Sequence, residues 1–317
     1  MTLPRRSLLQ ATSALALAAA LPTAMARAPM ANNQLLSVHR MKLGAFEVTT
    51  ILDGFIEADP RLLNAPPELV KNLLEAAQLP YGPVRIPVNT FLVNTGEKLV
   101  LLDTGGARML GPNAGRLSQG LAAAGVELSQ IDEVYITHMH GDHLHGAVTP
   151  EGAALFPNAI LRVAQPDVDY WGNPEVEAKA PADQKGRFAA AKRAMAAYGE
   201  RLKPFALGSE LTPGIKSVAS VGHTPGHSCY MVTSGEARML AIGDLIHIAP
   251  VQFAKPEVTI AFDWQQPTAR GARQEIFDMV ARENILVAAV HLPFPGLGHL
   301  RKDGSAYVYN PLSWRLF

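Results

Sequence analysis

Thr137-His138-Met139-His140-Gly141-Asp142-His143 places three imidazoles and a carboxylate within six consecutive residues. Neutral imidazole is the commonest protein ligand for metals, and carboxylate oxygen suits the same borderline cations. The spacing says as much as the composition. His138 and His140 lie two apart, so in an extended segment they share a face. Gly141 then lets the chain turn tightly, which brings Asp142 and His143 towards a neighbouring position. One short loop can therefore serve two metals side by side. Nine of the ten histidines fall between His138 and His299, several beside Gly, Pro or Asp and after apolar runs. Histidines that merely fill a core would be scattered singly.

Residues 131–136, just before this loop, read as a buried strand that delivers it at its C-terminal end. Upstream, 46–52 is β-branched and apolar, and 89–93 and 98–102 form a hairpin pattern around Asn94-Thr95-Gly96. Asp103-Thr104-Gly105-Gly106 breaks the pattern at a strand end. Residues 113–124 read as a helix closed by Gly125. From 167 to 205 the composition shifts to Ala, Lys, Arg and Glu, which reads as a helical insertion with a helix over 187–198 stopped by Gly199. Strand patterns resume at 215–221, 228–233 and 239–242. A helix over 268–282 capped by Thr268, a strand over 285–290 and an edge at 307–309 follow. This order fits an α+β fold of two sheets packed face to face with helices outside.

The whole chain sets the frame. Its 317 residues are 48% apolar, enough for one large domain, which we place at 41–317. The 28 basic and 28 acidic residues balance without a basic run, which argues against nucleic acid as a partner. Residues 1–28 read as an export signal: Arg5-Arg6, an apolar stretch over 8–21, then Ala24-Met25-Ala26 and Ala26-Arg27-Ala28 as small-x-small cleavage sites. The paired arginines point to the twin-arginine route and a periplasmic or secreted destination. The apolar stretch is too short for a membrane span and is interrupted by Gln10 and Thr12. Residues 29–40 read as a linker. Cys229 is the only cysteine, so no intrachain disulfide forms, and it reads as a small buried residue.

Three more pieces carry ligand types at strand ends beside Gly or Pro: Gly222-His223-Thr224-Pro225-Gly226-His227, Gly243-Asp244, and His291 before Leu292-Pro293-Phe294-Pro295-Gly296. Together with the opening motif, His138-x-His140-x-Asp142-His143 followed by His223, Asp244 and His291 resembles the metallo-β-lactamase superfamily. Within it, Val290-His291-Leu292-Pro293-Phe294-Pro295-Gly296-Leu297-Gly298-His299, Gly243-Asp244-Leu245-Ile246 and Val251-Gln252-Phe253 resemble methyl parathion hydrolase-like enzymes. The resemblance implies an αββα four-layer sandwich with two divalent metals, zinc by default, at its edge. It places His138, His140 and His223 on one metal, Asp142, His143 and His291 on the other, and Asp244 between them, with Asp142 and Asp244 as catalytic carboxylates. His227, His299 and Asp103 become supporting residues. Leu110, Trp171, Phe188, His247 and Phe262 are expected to line the mouth.

Two departures stand out. His145-Gly146 occupies a place that is usually Gly-Gly, and His247 stands where acyl-homoserine lactone lactonases usually carry a tyrosine. The resemblance implies a water shared by the two metals and acidified towards a pKa of about 7, acting as nucleophile. No Gly-x-Ser-x-Gly elbow is present, in agreement. An aromatic pocket without a cationic partner suits neutral aryl esters, lactones or phosphotriesters. An acyl-homoserine lactone lactonase or β-lactamase on the same scaffold is the alternative, followed by a non-catalytic metal-binding protein. A homodimer is compatible with the sequence.

Overall fold

Strand alternation sorts the apolar residues into separate layers. In the computed structural model, which describes residues 30–31, 33–182 and 184–313, two sheets face each other. The export-signal reading falls outside the described residues. One sheet runs in chain order through β1 (Val38–Leu43), β2 (Phe46–Ala58), β3 (Val84–Asn94), β4 (Leu99–Leu102), β5 (Glu133–Tyr135) and β6 (Ile160–Arg162). Pairing is antiparallel as far as β4 and parallel from β4 to β6. The other runs through β7 (Glu210–Thr212), β8 (Ile215–Ala219), β9 (Ser228–Ser234), β10 (Ala237–Ala241), β11 (Leu286–Ala288), β12 (Leu297–Asp303) and β13 (Ala306–Pro311). There only β10 and β11 are parallel.

Successive residues of a strand point to opposite faces. Val100, Leu102 and Tyr135 pack with Tyr230, Val232, Met239, Ala241, Leu286 and Ala288 between the sheets. Their neighbours Leu101, Val134 and Ile136 turn outward under α2 (Leu117–Ala123), α4 (Gln165–Gly172) and α6 (Lys185–Tyr198). On the far side, Cys229, Leu240, Ile242 and Val287 pack against Ile276, Phe277 and Val280 of α8 (Gln266–Arg282). The result is helix, sheet, sheet, helix. A fourth apolar cluster joins Val70 and Leu74 of α1 (Pro67–Ala76) to Val251 of α7 (Ala249–Ala254) and Ile260. Among the described residues no helix is long and apolar enough to cross a membrane.

Several boundaries differ from the sequence reading, four of them for a visible physical reason. The helix expected from 113 begins at Leu117, because the loop before it wraps the buried Asp53 carboxylate, which accepts from the backbone N–H of Gly106, Gly115 and Leu117. α8 begins at Gln266 rather than Thr268, since Pro267 fits a first helical turn where its missing N–H costs nothing. The strand expected over 285–290 stops at Ala288. Beyond it, the Asn89 side chain takes the carbonyls of Ala289, Val290 and Leu292 (3.2, 3.0 and 2.8 Å). β1 begins at Val38, paired with Ile51, so the stretch read as a linker ends short of residue 40. Between β6 and β7 lie three helices, α4, α5 (Pro174–Lys179) and α6.

The two sheets are tied together at one edge. The Tyr230 hydroxyl donates to Ile136 O (2.6 Å), and Ser228 N–H donates to Thr137 O (2.9 Å). The buried Arg273 of α8 donates to the carbonyls of Leu245, Pro256 and Val258 at 2.5–2.9 Å. Burial lowers its guanidinium to about 10. Replacing Arg273 with Ala strands these carbonyls, so we predict a loss of roughly 3 kcal/mol or more, read as a lowered midpoint in urea unfolding.

Candidate metal centre

Every predicted ligand sits past the C-terminal end of a strand, on one edge of the sandwich. β5 leads into a bent segment, 136–140, and then into the short helix α3 (Gly141–Leu144). His138 and His140 come from the bent segment, while Asp142 and His143 share the helical turn. β8 leads to His223, β10 to Asp244 and β11 to His291. Gly243 adopts φ +51, and a Cβ there would lie 2.6 Å from His227 Nε2. That glycine lets the chain reverse directly after β10 and turn Asp244 inward. Gly146 has a similar reason: a Cβ would meet Thr104 O at 1.8 Å, so glycine stays at this place although His145 precedes it.

Ligand-type atoms of His138, His140, His223 and Asp244 lie within 4.8 Å of one another, and so do those of Asp142, His143, Asp244 and His291. All seven predicted ligands are thus brought together, and Asp244 belongs to both groups. Its two oxygens divide the work. Oδ1 lies 2.9 Å from His143 Nε2 and 3.1 Å from His291 Nε2. Oδ2 lies 3.2 Å from His223 Nε2 and 3.5 Å from His138 Nε2. Asp142 Oδ2 completes the group of His143 and His291, 3.3 Å from His291 Nε2.

The outer nitrogens fix the tautomers. His143 Nδ1 donates to Asp103 Oδ2 (2.8 Å), His223 Nδ1 to Asp263 Oδ1 (2.7 Å) and His291 Nδ1 to Pro87 O (2.8 Å). The Thr137 hydroxyl donates to Asp103, leaving its lone pair 3.2 Å from His138 Nδ1. A neutral imidazole that donates from Nδ1 presents a lone pair at Nε2. The Nε2 atoms of His138, His143 and His291, with Asp244 Oδ1, are buried and have no hydrogen-bond partner. Buried polar atoms are rarely left so. Their convergence in two groups fits a pair of cations.

The electrostatics agree. Burial pushes Asp244 up, but His143, His291, His247 and His138 outweigh it and hold the carboxyl well below its usual range. Burial lowers His223 and His291, yet Asp244 with Asp263, and Asp244 with Asp142, raise them to about 9 and about 10. His138 and His140 are lowered, first by burial. The carboxylates thus demand more positive charge than neutral imidazoles supply.

Supporting residues divide into expected and missed. Asp103, at φ +57, binds Thr137 and His143 as described. His227 is not in either group. Its Nδ1 bonds Ser220, and its Nε2 accepts the Asp244 backbone N–H (2.9 Å). Cys229 is buried and outside both groups, and burial raises its thiol to about 12. His299 lies on β12 opposite Asn310 and is in neither group. Asp263 and Asp167 escaped the sequence reading. Asp167 accepts from Met139 N, Thr224 Oγ1 and Gly226 N (3.0, 3.0 and 2.6 Å), locking the two ligand loops together.

Two cavities meet at His140. One of about 310 Å³ is largely apolar, with Leu110, His247, Phe262, Ile86 and Ile260 on its wall beside Asp142 and Asp244. The other, about 220 Å³, is more polar and is bounded by His140, Trp171, Trp264, Thr224 and Arg187. His247 Nε2 donates to Asp244 Oδ2 (3.0 Å). Two expectations are corrected. Phe188 does not line the mouth; it is buried behind Trp171, with ring centroids 4.8 Å apart. The pocket also has a cation: Arg187, one residue away, borders both cavities.

The family model described as the metallo-beta-lactamase superfamily matches residues 83–284. The crystal structure of hydrolase AbOPH in the beta lactamase superfamily superposes with a TM-score of 0.84 at 32% identity, covering 89% of this chain and 100% of that one. AidC, a dizinc quorum-quenching lactonase solved with a product, has the same TM-score at 24% identity, covering 90% and 100%. A probable metal-dependent hydrolase from Staphylococcus aureus superposes with a TM-score of 0.72 at 21% identity, covering 87% and 100%. These last two, at lower identity, speak to the fold. None of the curated proteins compared matches the chain.

The geometry separates the two histidines of one loop. His223→Ala removes an atom from a ligand group and should cost about one metal per chain. His227→Ala leaves every ligand atom in place and removes only the acceptor for Asp244 N–H, so it should keep the stoichiometry and weaken affinity by about 10–100-fold. Elemental analysis after dialysis, with a chelator titration, checks both.

Proposed function

The chain belongs to the metallo-β-lactamase superfamily as a metal-binding hydrolase, and from that premise we propose that it is a binuclear enzyme for neutral carboxylic esters, lactones or phosphotriesters. The observation that carries this reading is the split of Asp244, one oxygen towards each histidine group. In it, His138, His140 and His223 would hold one cation and Asp142, His143 and His291 the other, with Asp244 available to both. The nitrogen-rich donor set suits zinc. Two such ions supply an acidified water and an electrophile for the scissile carbonyl or phosphoryl oxygen.

The rest of the work falls to the chain. Asp103, Asp263 and the Pro87 carbonyl hold three imidazoles with Nε2 inward. Asp167 keeps the His138–His140 and His223 loops in register. His247 steadies Asp244 Oδ2 from the cavity wall. Leu110, Ile86, Ile260 and Phe262 seat an apolar group and exclude water, while Trp171 closes the other side over His140. We further propose that residues 1–28 direct export by the twin-arginine route to the periplasm or beyond.

Four outcomes test these statements. Purified, metal-analysed protein should hydrolyse para-nitrophenyl esters, lactones or paraoxon-type triesters ahead of phosphomonoesters; the reverse order removes the substrate assignment. Asp244→Ala should lower kcat by roughly a thousandfold or more, because it breaks a group of residues acting as a unit, and should lose metal from both positions. Trp171→Ala should raise KM for aryl esters roughly three- to tenfold, on the scale of one aromatic contact, with metal content unchanged. For export, replacing Arg5 and Arg6 with Lys should leave precursor in the cytoplasm, as fractionation would show.

A further inference from the structure

Resting on the hydrolase reading, we propose that Arg187 and Trp171 form a carboxylate-recognition subsite, so that the enzyme's substrates carry a carboxylate remote from the scissile bond, on the side opposite their apolar group.

Two side chains beside His140 carry donors without a protein acceptor among the described residues. Arg187, in the first turn of α6, is partly buried and forms no ion pair among the described residues. Its contact is with a ring face, the guanidinium carbon lying 5.8 Å from the Phe262 centroid. Arginine carries five N–H donors in a planar fork that matches a carboxylate. Trp171, 4% exposed, keeps a buried indole N–H without an acceptor. Buried indole N–H groups usually find one.

Both side chains border the same 220 Å³ cavity. The carboxylate on that wall, Asp263, is already engaged, with one oxygen on His223 Nδ1 and the other on Ile260 N–H. The cavity therefore offers the Arg187 guanidinium, while the one carboxylate on its wall is held by other groups. Its neighbour across His140 is apolar. A substrate stretched over the metal ligands would place a hydrocarbon or aryl group in one cavity and a planar anion in the other. The scissile group itself stays neutral, in keeping with the proposed reaction.

The test compares mono-para-nitrophenyl glutarate with para-nitrophenyl hexanoate, matched in chain length and differing in the terminal carboxylate. Wild type should favour the glutarate in kcat/KM. Arg187→Gln should reduce that preference by at least about tenfold, the worth of a charge-assisted hydrogen bond, mainly through KM. Arg187→Glu should invert it towards an ester with a trimethylammonium-bearing acyl chain. Trp171→Phe, which keeps the ring and removes the N–H, should lose part of the preference. Raised salt should weaken it in wild type alone.

Binding of the non-hydrolysable amide analogue of the glutarate ester, followed by tryptophan fluorescence, gives a readout independent of turnover. Tighter binding to wild type than to Arg187→Glu supports the subsite whether or not the esters are cleaved. Failure to hydrolyse either ester, with the amide still binding, would overturn the hydrolase reading alone. Equal preference, and equal binding of the amide, in wild type and Arg187→Glu overturn the subsite.

Discussion

A carboxylate buried among imidazoles governs this molecule. Asp244 is almost wholly removed from water, and an ion of that size costs several kcal/mol to bury alone. The cost is met locally: five imidazoles, His138, His143, His223, His247 and His291, bring a nitrogen within 2.9–3.5 Å of its oxygens. Those imidazoles come from loops of both sheets, so the compensation exists only when the sheets are docked. The Tyr230–Ile136 and Asn89–Val290 hydrogen bonds, which join the sheets at that edge, serve the same end.

The ligands were legible in the sequence because metal chemistry demands scarce residue types at tight spacing. The layers were legible because strand period sorts apolar residues by face. What supports the ligands was less so. Asp263 meets His223 across forty residues, and the partner of His291 is a backbone carbonyl, Pro87, which has no signature in residue type. Asp167 reads as an ordinary acidic residue in a first helical turn; only the tertiary fold brings two ligand loops to it. Element boundaries moved where a side chain intercepted the backbone, as Asp53 does before α2 and Asn89 does after β11.

The exchange of Phe188 for Arg187 has a simple geometric origin. Neighbouring residues on a helix do not share a face. A one-residue difference in rotational phase therefore decides whether the wall of the site is aromatic or cationic. Composition identifies the helix as lying over the site, but its phase is set by the packing of Trp171 and Tyr170 against Phe188. The aromatic cluster still matters, as the backing that holds Trp171 against the edge of His140.

Asp167 also bears on how such a protein can change over generations. It stands at the start of the helical segment that shapes access to the site, and it fastens that segment to both ligand loops through three hydrogen bonds. Downstream of this anchorage, α5 and the exposed flank of α6 make no comparable bond to the ligands. New substrates can thus be explored by redrawing the exposed surfaces of those helices, while the metal-holding loops stay pinned upstream by Asp167 and the Phe188–Trp171 backing is kept.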